Sequence, residues 1–233
     1  MKSETLAELN AERAARRPAI LVTEIASGAQ RLVKAADIAA DPLRNELSAH
    51  LRMGKSSMVE AGGTRLFLNV YAPTARLVII GAVHISQALA PIAKSLGYDV
   101  TVVDPRTAFA SPERFPDVPL VAEWPDVALP PLNIDRYTAF VALTHDPKID
   151  DPALLHAFAR ECFYIGALGS RKTHAKRGDR LRGQGASEAD IARIHAPIGL
   201  AIGAVSPSEI AVSIMAEITA TLRLPAKEKD QAA

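Results

Sequence analysis

The sequence predicts an α/β fold: a doubly wound parallel sheet with a small N-terminal α+β domain. Three observations predict it. From Arg76 onward, continuous β-branched or apolar runs alternate with amphipathic segments, the pattern of strands covered by helices on both faces. Two of those runs end in glycine turns that open a following helix, at Gly81 and at Gly166–Gly169. Before Arg76 the runs are short and are punctuated by Gly28 and Gly62-Gly63, as antiparallel hairpins are. The expected division is residues 1–74 for the small α+β region, 75–224 for the sheet domain and 225–233 for a polar tail.

In chain order, residues 4–17 form a charged helix that Pro18 ends. Ile20–Ala26 is a strand, Gly28 a turn, and Gln30–Ala35 the hairpin partner. Asp41-Pro42 opens a helix to Met53, with Leu43, Leu47 and Leu51 at four-residue spacing. SSMVEA and TRLFLNVY flank Gly62-Gly63 as a second hairpin. Arg76–Ala82 is then a strand buried on both faces. Ile85, Ala88, Leu89, Ile92, Ala93 and Leu96 mark an amphipathic helix closed by Gly97, and Tyr98–Asp104 is the next buried strand. Residues 105–137 are proline-rich and contain PLVAEW as one short strand. Thr138–His145 is a strand, and Asp151-Pro152 caps a helix with Leu154, Leu155 and Phe158 inward. Cys162–Ser170 runs as a strand into a glycine turn, and a basic helix follows. Ser206-Pro207-Ser208-Glu209 is a capping box that starts a last helix with Ile210, Ile214, Met215, Ile218 and Leu222 inward.

Composition bounds the function. The chain has 233 residues, 48% hydrophobic and 23% charged, which is globular and not disordered. Net charge is +1, from 27 basic and 26 acidic residues. Nucleic-acid coating normally needs a large positive excess, so no nucleic-acid partner is expected. The N-terminus mixes acids and bases without an apolar core, so it does not read as a signal peptide. No run approaches the ~18 apolar residues of a membrane span. The single cysteine, Cys162, makes no intramolecular disulfide; it reads as core, and the chain as cytoplasmic.

The first glycine turn reads Gly81-Ala82-Val83-His84-Ile85-Ser86. It lies where a Rossmann-like dinucleotide fingerprint belongs, between strand and helix. Asp104 ends the second strand where a ribose-binding carboxylate belongs. The middle glycine of the fingerprint is Val83, whose methyls occupy the space a pyrophosphate needs, so NAD is not expected in its usual pose. Gly81 is then either a ligand loop or only a tight βα turn, and His84 a ligand group or a surface cap. At the second turn, Gly166, Gly169, Ser170 and Arg171 open a helix, where free amides and the positive dipole end favour an anion. Arg171 adds a fork suited to phosphate or carboxylate. Lys176, Arg177, Arg180 and Arg182 read as a solvated basic face.

His84, His145 and His195 all close segments. Ligands of open α/β sheets bind beyond the carboxyl ends of the strands. Gly81–His84, Asp104, His145-Asp146 and Gly166–Arg171 all belong to that edge. No histidine spacing supports a metal site, and Asp146 before Pro147 reads as a turn former. The acidic stretch 111–151 and the basic stretch 170–195 could meet across a homodimer.

From Arg76 to Leu222 the chain resembles the XdhC/CoxI family, accessory proteins of molybdenum hydroxylases such as xanthine dehydrogenase. The resemblance is carried by RLVIIGAVHISQALAPIAKSLGYDVTVVDPR, RFPDV, LTHDPKIDDPAL, YIGALGSRKTHAKR and RIHAPIGLAIGAVSPSEIAVSIMAEI. It implies a protein that binds the molybdenum cofactor (molybdopterin) as cargo while its sulfido ligand is installed with a cysteine desulfurase. The cargo then passes to a molybdenum hydroxylase apo-enzyme. It implies a dimer, and a chaperone more than a catalyst. Two positions depart from the family: G-x-G-H is here Gly81-Ala82-Val83-His84, and S-G-G-C-V-E is nearest to Ser56-Ser57-Met58-Val59-Glu60, without cysteine. A separate cysteine-bearing partner of the same family type would supply the thiol. Cargo binding then falls to Gly81, His84, Asp104, His145, Gly166, Gly169, Ser170 and Arg171. The competing readings are an NAD(P)-dependent oxidoreductase and an interaction module with a vestigial nucleotide crevice.

Overall fold

Alternating polarity builds the first third of the chain. The structure, a computed structural model, describes residues 1–224; the polar tail expected at 225–233 lies outside the described residues. Contacts divide the chain into Met1–Pro73 and a second unit that begins at Thr74. In the first unit the strands β1 (Ala19–Glu24), β2 (Gln30–Lys34), β3 (Ser57–Ala61) and β4 (Thr64–Tyr71) make an antiparallel sheet ordered β2-β1-β4-β3. Ile20 pairs with Val33 on one side and Val70 on the other. Ile20, Val22, Val33 and Leu68 form one buried face with Ile38 and with Leu47 of helix α2 (Arg44–Met53). Helix α1 (Ser3–Ala14) precedes the sheet, and Gly54 closes α2 in the left-handed region at φ 64°. Helix α2 begins later than Asp41-Pro42 because Asp41 Oδ1 accepts the Leu43 N–H and the pair forms a turn.

The second unit is the doubly wound sheet. Its strands are β5 (Arg76–Ile80), β6 (Asp99–Val103), β7 (Leu120–Val121), β8 (Thr138–Ala142), β9 (Tyr164–Ala167) and β10 (Ile194–His195). All pair in parallel, in the order β10-β9-β8-β5-β6-β7. The β-branched run of β5 buries both faces: Leu77 and Ile79 join one core, Val78 and Ile80 the other. Helices α3 (His84–Ser95) and α8 (Pro207–Arg223) cover the first face. Helices α4 (Pro125–Leu132) and α5 (Pro147–Ala159) cover the second, with Leu181 of α6 (Arg171–Gly183) and Ile191 of α7 (Glu188–Ala192). The capping box at the start of α8 forms as the sequence predicts: Ser206 accepts the Glu209 N–H and Glu209 the Ser206 N–H.

Three expectations need correction. Helix α5 starts at Pro147, not after Asp151. Asp146 accepts the Lys148 N–H at 2.9 Å and caps it, and Pro152 sits inside, where it leaves one rung of the ladder unmade. The PLVAEW strand shrinks to Leu120–Val121, because Trp124 turns extended and Pro125 begins α4. Helix α4 itself falls in the proline-rich stretch, where only the short strand is expected; it carries Pro130 and Pro131 and ends at Asn133 with φ 46°. Among the described residues, no helix is long and apolar enough to cross a membrane.

Candidate functional site

Strand order places a topological switch between β5 and β8. The chain leaves β5 through α3 to β6 on one side, then returns through α4 to β8 on the other. Crevices at such points hold ligands beyond the carboxyl ends of the strands. Three loops meet there. Gly81, at φ 109°, lies so close to Thr144 that a Cβ would come within 2.7 Å of its Cγ2 and 3.3 Å of its backbone nitrogen. A Cβ on Gly169, at φ 134°, would lie 3.0 Å from Thr173 Cγ2 and 3.8 Å from Nδ1 of His145. The β5, β8 and β9 loops therefore touch in sequence, and His145 stands beside the Gly169 turn.

Two buried carboxylates hold this rim. Asp104 is fully buried. It accepts the Ala82 N–H at 2.7 Å and the Arg106 N–H at 2.9 Å, and takes the Arg106 guanidinium at 2.9 and 2.7 Å. Burial works to raise its pKa, but the bonds from Arg106 and Ala82 outweigh it and leave the carboxyl below its usual range. Asp150 accepts from Thr144 Oγ1 at 2.6 Å and from the His145 N–H at 3.0 Å. It thereby fixes His145 in the left-handed region at φ 64°. Here burial prevails and raises the Asp150 pKa.

The expected residues divide on this geometry. His84 at the first position of α3, His145, Ser170 and Arg171 at the first position of α6 are all exposed at this edge. Ser170 caps α6, accepting the Thr173 N–H at 3.2 Å. Gly81 and Gly169 make the close approaches. Gly166 lies within β9, where a Cβ would meet Ile198 Cδ1 at 2.5 Å and Tyr164 Cε1 at 2.8 Å. Its missing side chain makes room for the core. Gly166→Ala is expected to cost about 1–3 kcal/mol, measured by thermal melting. The double variant with Ile198→Ala should be less destabilised than the sum of the single changes.

The solvated basic face also needs correction. Arg177 is 2% exposed. Its Nη2 donates to the Leu168 carbonyl at 2.8 Å, and Nε and Nη1 make no hydrogen bond among the described residues. Burial lowers its pKa, opposed by the carboxylates of Asp150 and Asp151. Arg180 pairs with Asp151 at 2.6 Å, so acidic and basic stretches meet here within one chain. Arg182 pairs with Asp179 and Glu188.

Two further groups lie outside the expected binding residues. Arg106 holds Asp104. His195 Nδ1 lies 2.9 Å from Glu217 Oε1, and the His195 ring stacks on Tyr164 at 4.6 Å. Glu217 Oε2 also accepts the Tyr164 hydroxyl at 2.5 Å and the Gly199 N–H at 2.8 Å. The signal for this cluster is an acid on the apolar stripe of α8, one residue before Ile218. Cys162 is buried, and burial pushes its thiol up to about 12, so the thiolate is not formed near neutrality.

Parallel strands, a β5–β8 switch and loops gathered at one edge define a Rossmann-type domain. The chain belongs to the XdhC family: the XdhC Rossmann domain matches residues 77–218, as the sequence resemblance implies. The chain is 38% identical over 159 residues to the uncharacterized protein YqeB of Escherichia coli K12, an alignment covering 67% of this chain and 29% of that protein. It is 33% identical to a protein of Bacillus subtilis named as a probable subunit of xanthine dehydrogenase, over 68% of this chain and 46% of that one. It is also 33% identical to the molybdenum cofactor insertion chaperone PaoD of Escherichia coli K12, over 68% and 43%. The matched region spans less than half the length of each of these relatives. A crystal structure from Bacillus halodurans described as a xanthine dehydrogenase matches over 99% of this chain and 69% of its own, with a TM-score of 0.68 and 24% identity. That likeness is one of fold.

Proposed function

We propose that this chain binds the molybdenum cofactor in the crevice at the β5–β8 switch and passes it to a xanthine dehydrogenase-type molybdenum hydroxylase. The observation that carries this is the meeting of the Gly81, His145 and Gly169 loops at one edge, where helices α3, α5 and α6 begin. Amides at helix starts favour an anionic group, and a molybdopterin carries a phosphate. The pterin needs a concave place with a few polar groups, which His84, His145, Ser170 and Arg171 would line. The names of two relatives, one a molybdenum cofactor insertion chaperone and the other a probable part of a xanthine dehydrogenase, support the same role.

The chain acts in this reading as a carrier rather than a catalyst. Its only cysteine is buried with a raised pKa. Sulfur transfer therefore falls to a cysteine desulfurase and a cysteine-bearing partner, with the chain working as a cytoplasmic homodimer. The oxidoreductase alternative is disfavoured by Val83 in the fingerprint and by the Asp104 carboxylate, which four protein donors already engage. Native mass spectrometry of the protein from a molybdate-fed host is expected to show a bound pterin mass. Arg171→Ala should reduce that occupancy about tenfold or more; an unchanged occupancy removes Arg171 from the site. Hydride transfer with a tightly bound nicotinamide cofactor would overturn the reading altogether.

A further inference from the structure

We propose that Arg106 selects what the crevice accepts: a phosphorylated, acceptor-rich guest and not a free ribose diol. The inference rests on the crevice being the cargo site and adds a selectivity residue to it. A dinucleotide site reads ribose hydroxyls with a carboxylate at the end of the second strand. Here that carboxylate, Asp104, is fully buried and engaged by Ala82 and Arg106. Of the neighbouring carboxylates, Asp150 is engaged through both oxygens by Thr144 and His145, and Asp146 through Oδ1 by the Lys148 N–H. The acceptor that would read a ribose diol, Asp104, is therefore already taken by four protein donors.

Arg106 offers the opposite. Nε and Nη2 hold Asp104, while Nη1 makes no hydrogen bond among the described residues. Its side chain is 32% exposed, and the guanidinium carbon lies 4.5 Å from the centre of the Phe109 ring. Asp146 and Asp150 act on it electrostatically, so the guanidinium also feels the β8–α5 loop on the other side of the switch. A guanidinium pinned by a carboxylate and backed by a ring has already lost its rotamer freedom, so ordering it costs a guest little. The carboxylates around it offset its charge. Recognition then depends on directed N–H donors, as phosphate oxygens require.

The test is calorimetric titration of the full chain with inorganic pyrophosphate and with adenosine, beside native mass spectrometry of the chain from a molybdate-fed host. Pyrophosphate is expected to bind and adenosine not to. Arg106→Gln should weaken pyrophosphate about tenfold, and Arg106→Lys, which keeps the charge without the fork, by less. If Arg106→Gln does not fold, Arg106→Lys alone carries the comparison, with any weakening supporting the proposal and none overturning it. A folded Arg106→Gln that binds like the parent overturns the proposal, as does adenosine competing with pyrophosphate or a parent chain that binds no pyrophosphate. A pterin mass kept in full by Arg106→Gln leaves the cargo reading standing and removes Arg106 from it. Pyrophosphate bound through Arg106 with no pterin mass on the parent does the reverse.

Discussion

Replacing Asp150 by alanine is expected to destabilise the second unit by about 3–5 kcal/mol, the cost of breaking a buried charged network. The carboxylate is 1% exposed. It holds the Thr144 hydroxyl at 2.6 Å and the N–H of left-handed His145 at 3.0 Å. Its removal leaves those donors unpaired and takes away one of the two carboxylates that offset the buried charge of Arg177. Melting should fall by on the order of 10 °C, and limited proteolysis should open the 144–146 loop first. Asp150→Asn, which keeps the shape and one acceptor, should cost less. Because burial raises the Asp150 pKa above its ordinary 3.8, the proton-linked part of its contribution to stability is present below 3.8 and is lost as pH rises through the folded value, while its bonds to Thr144 and His145 supply the rest. The penalty of Asp150→Asn should therefore shrink toward neutral pH. A melting curve for Asp150→Ala that overlays the parent would show that the loop is held by other means.

Glu217→Ala is expected to cost about 2–4 kcal/mol, because it strands the Tyr164 hydroxyl and the Gly199 N–H together. Tyr164 is 1% exposed, so no bulk water replaces the lost acceptor. The pH dependence has the opposite sign to that of Asp150. Burial works to raise the Glu217 pKa, but the bonds from His195 and Tyr164 outweigh it and leave the carboxyl below 4.5. Its stabilisation is present above 4.5 and is lost as pH falls through the folded value. Denaturant titrations from pH 7 down to pH 3 should show the parent losing more stability than Glu217→Ala. Parallel losses in the two proteins would mean that another group carries the acid sensitivity.

Local pattern made the sheet legible. The continuous run of β5 and the i, i+3, i+4 spacing of α3 state their environment directly, and α8 announces its start with a capping box. Helix α4 was not legible, since Pro125, Pro130 and Pro131 read as breakers; the first sits at the helix start, where its missing N–H costs nothing. Asp146-Pro147 read as a turn and Asp151-Pro152 as the cap of α5, but Asp146 takes the Lys148 N–H and Asp150 ties the first turn back to the preceding loop, so the earlier pair opens the helix. Arg177 read as one of a charged run because its carboxylates lie on α5, and contact between helices leaves no mark in spacing. Gly166 and Gly169 read as one glycine turn, yet Gly166 lies in β9 and is governed by packing against Ile198, while approach to Thr173 and His145 governs Gly169. The carboxyl edge was visible from segment ends alone. Arg106 was passed over, although Asp104-Pro105-Arg106 places a base directly after the acid that ends the strand.

The floor beneath the rim is main chain, stitched from below by Asp104 and Asp150. Side chains at His84, His145 and Arg171 only stand on top of it. Substitutions at those exposed positions can therefore accumulate while the foundation stays untouched, which gives such a scaffold wide evolutionary latitude at its rim.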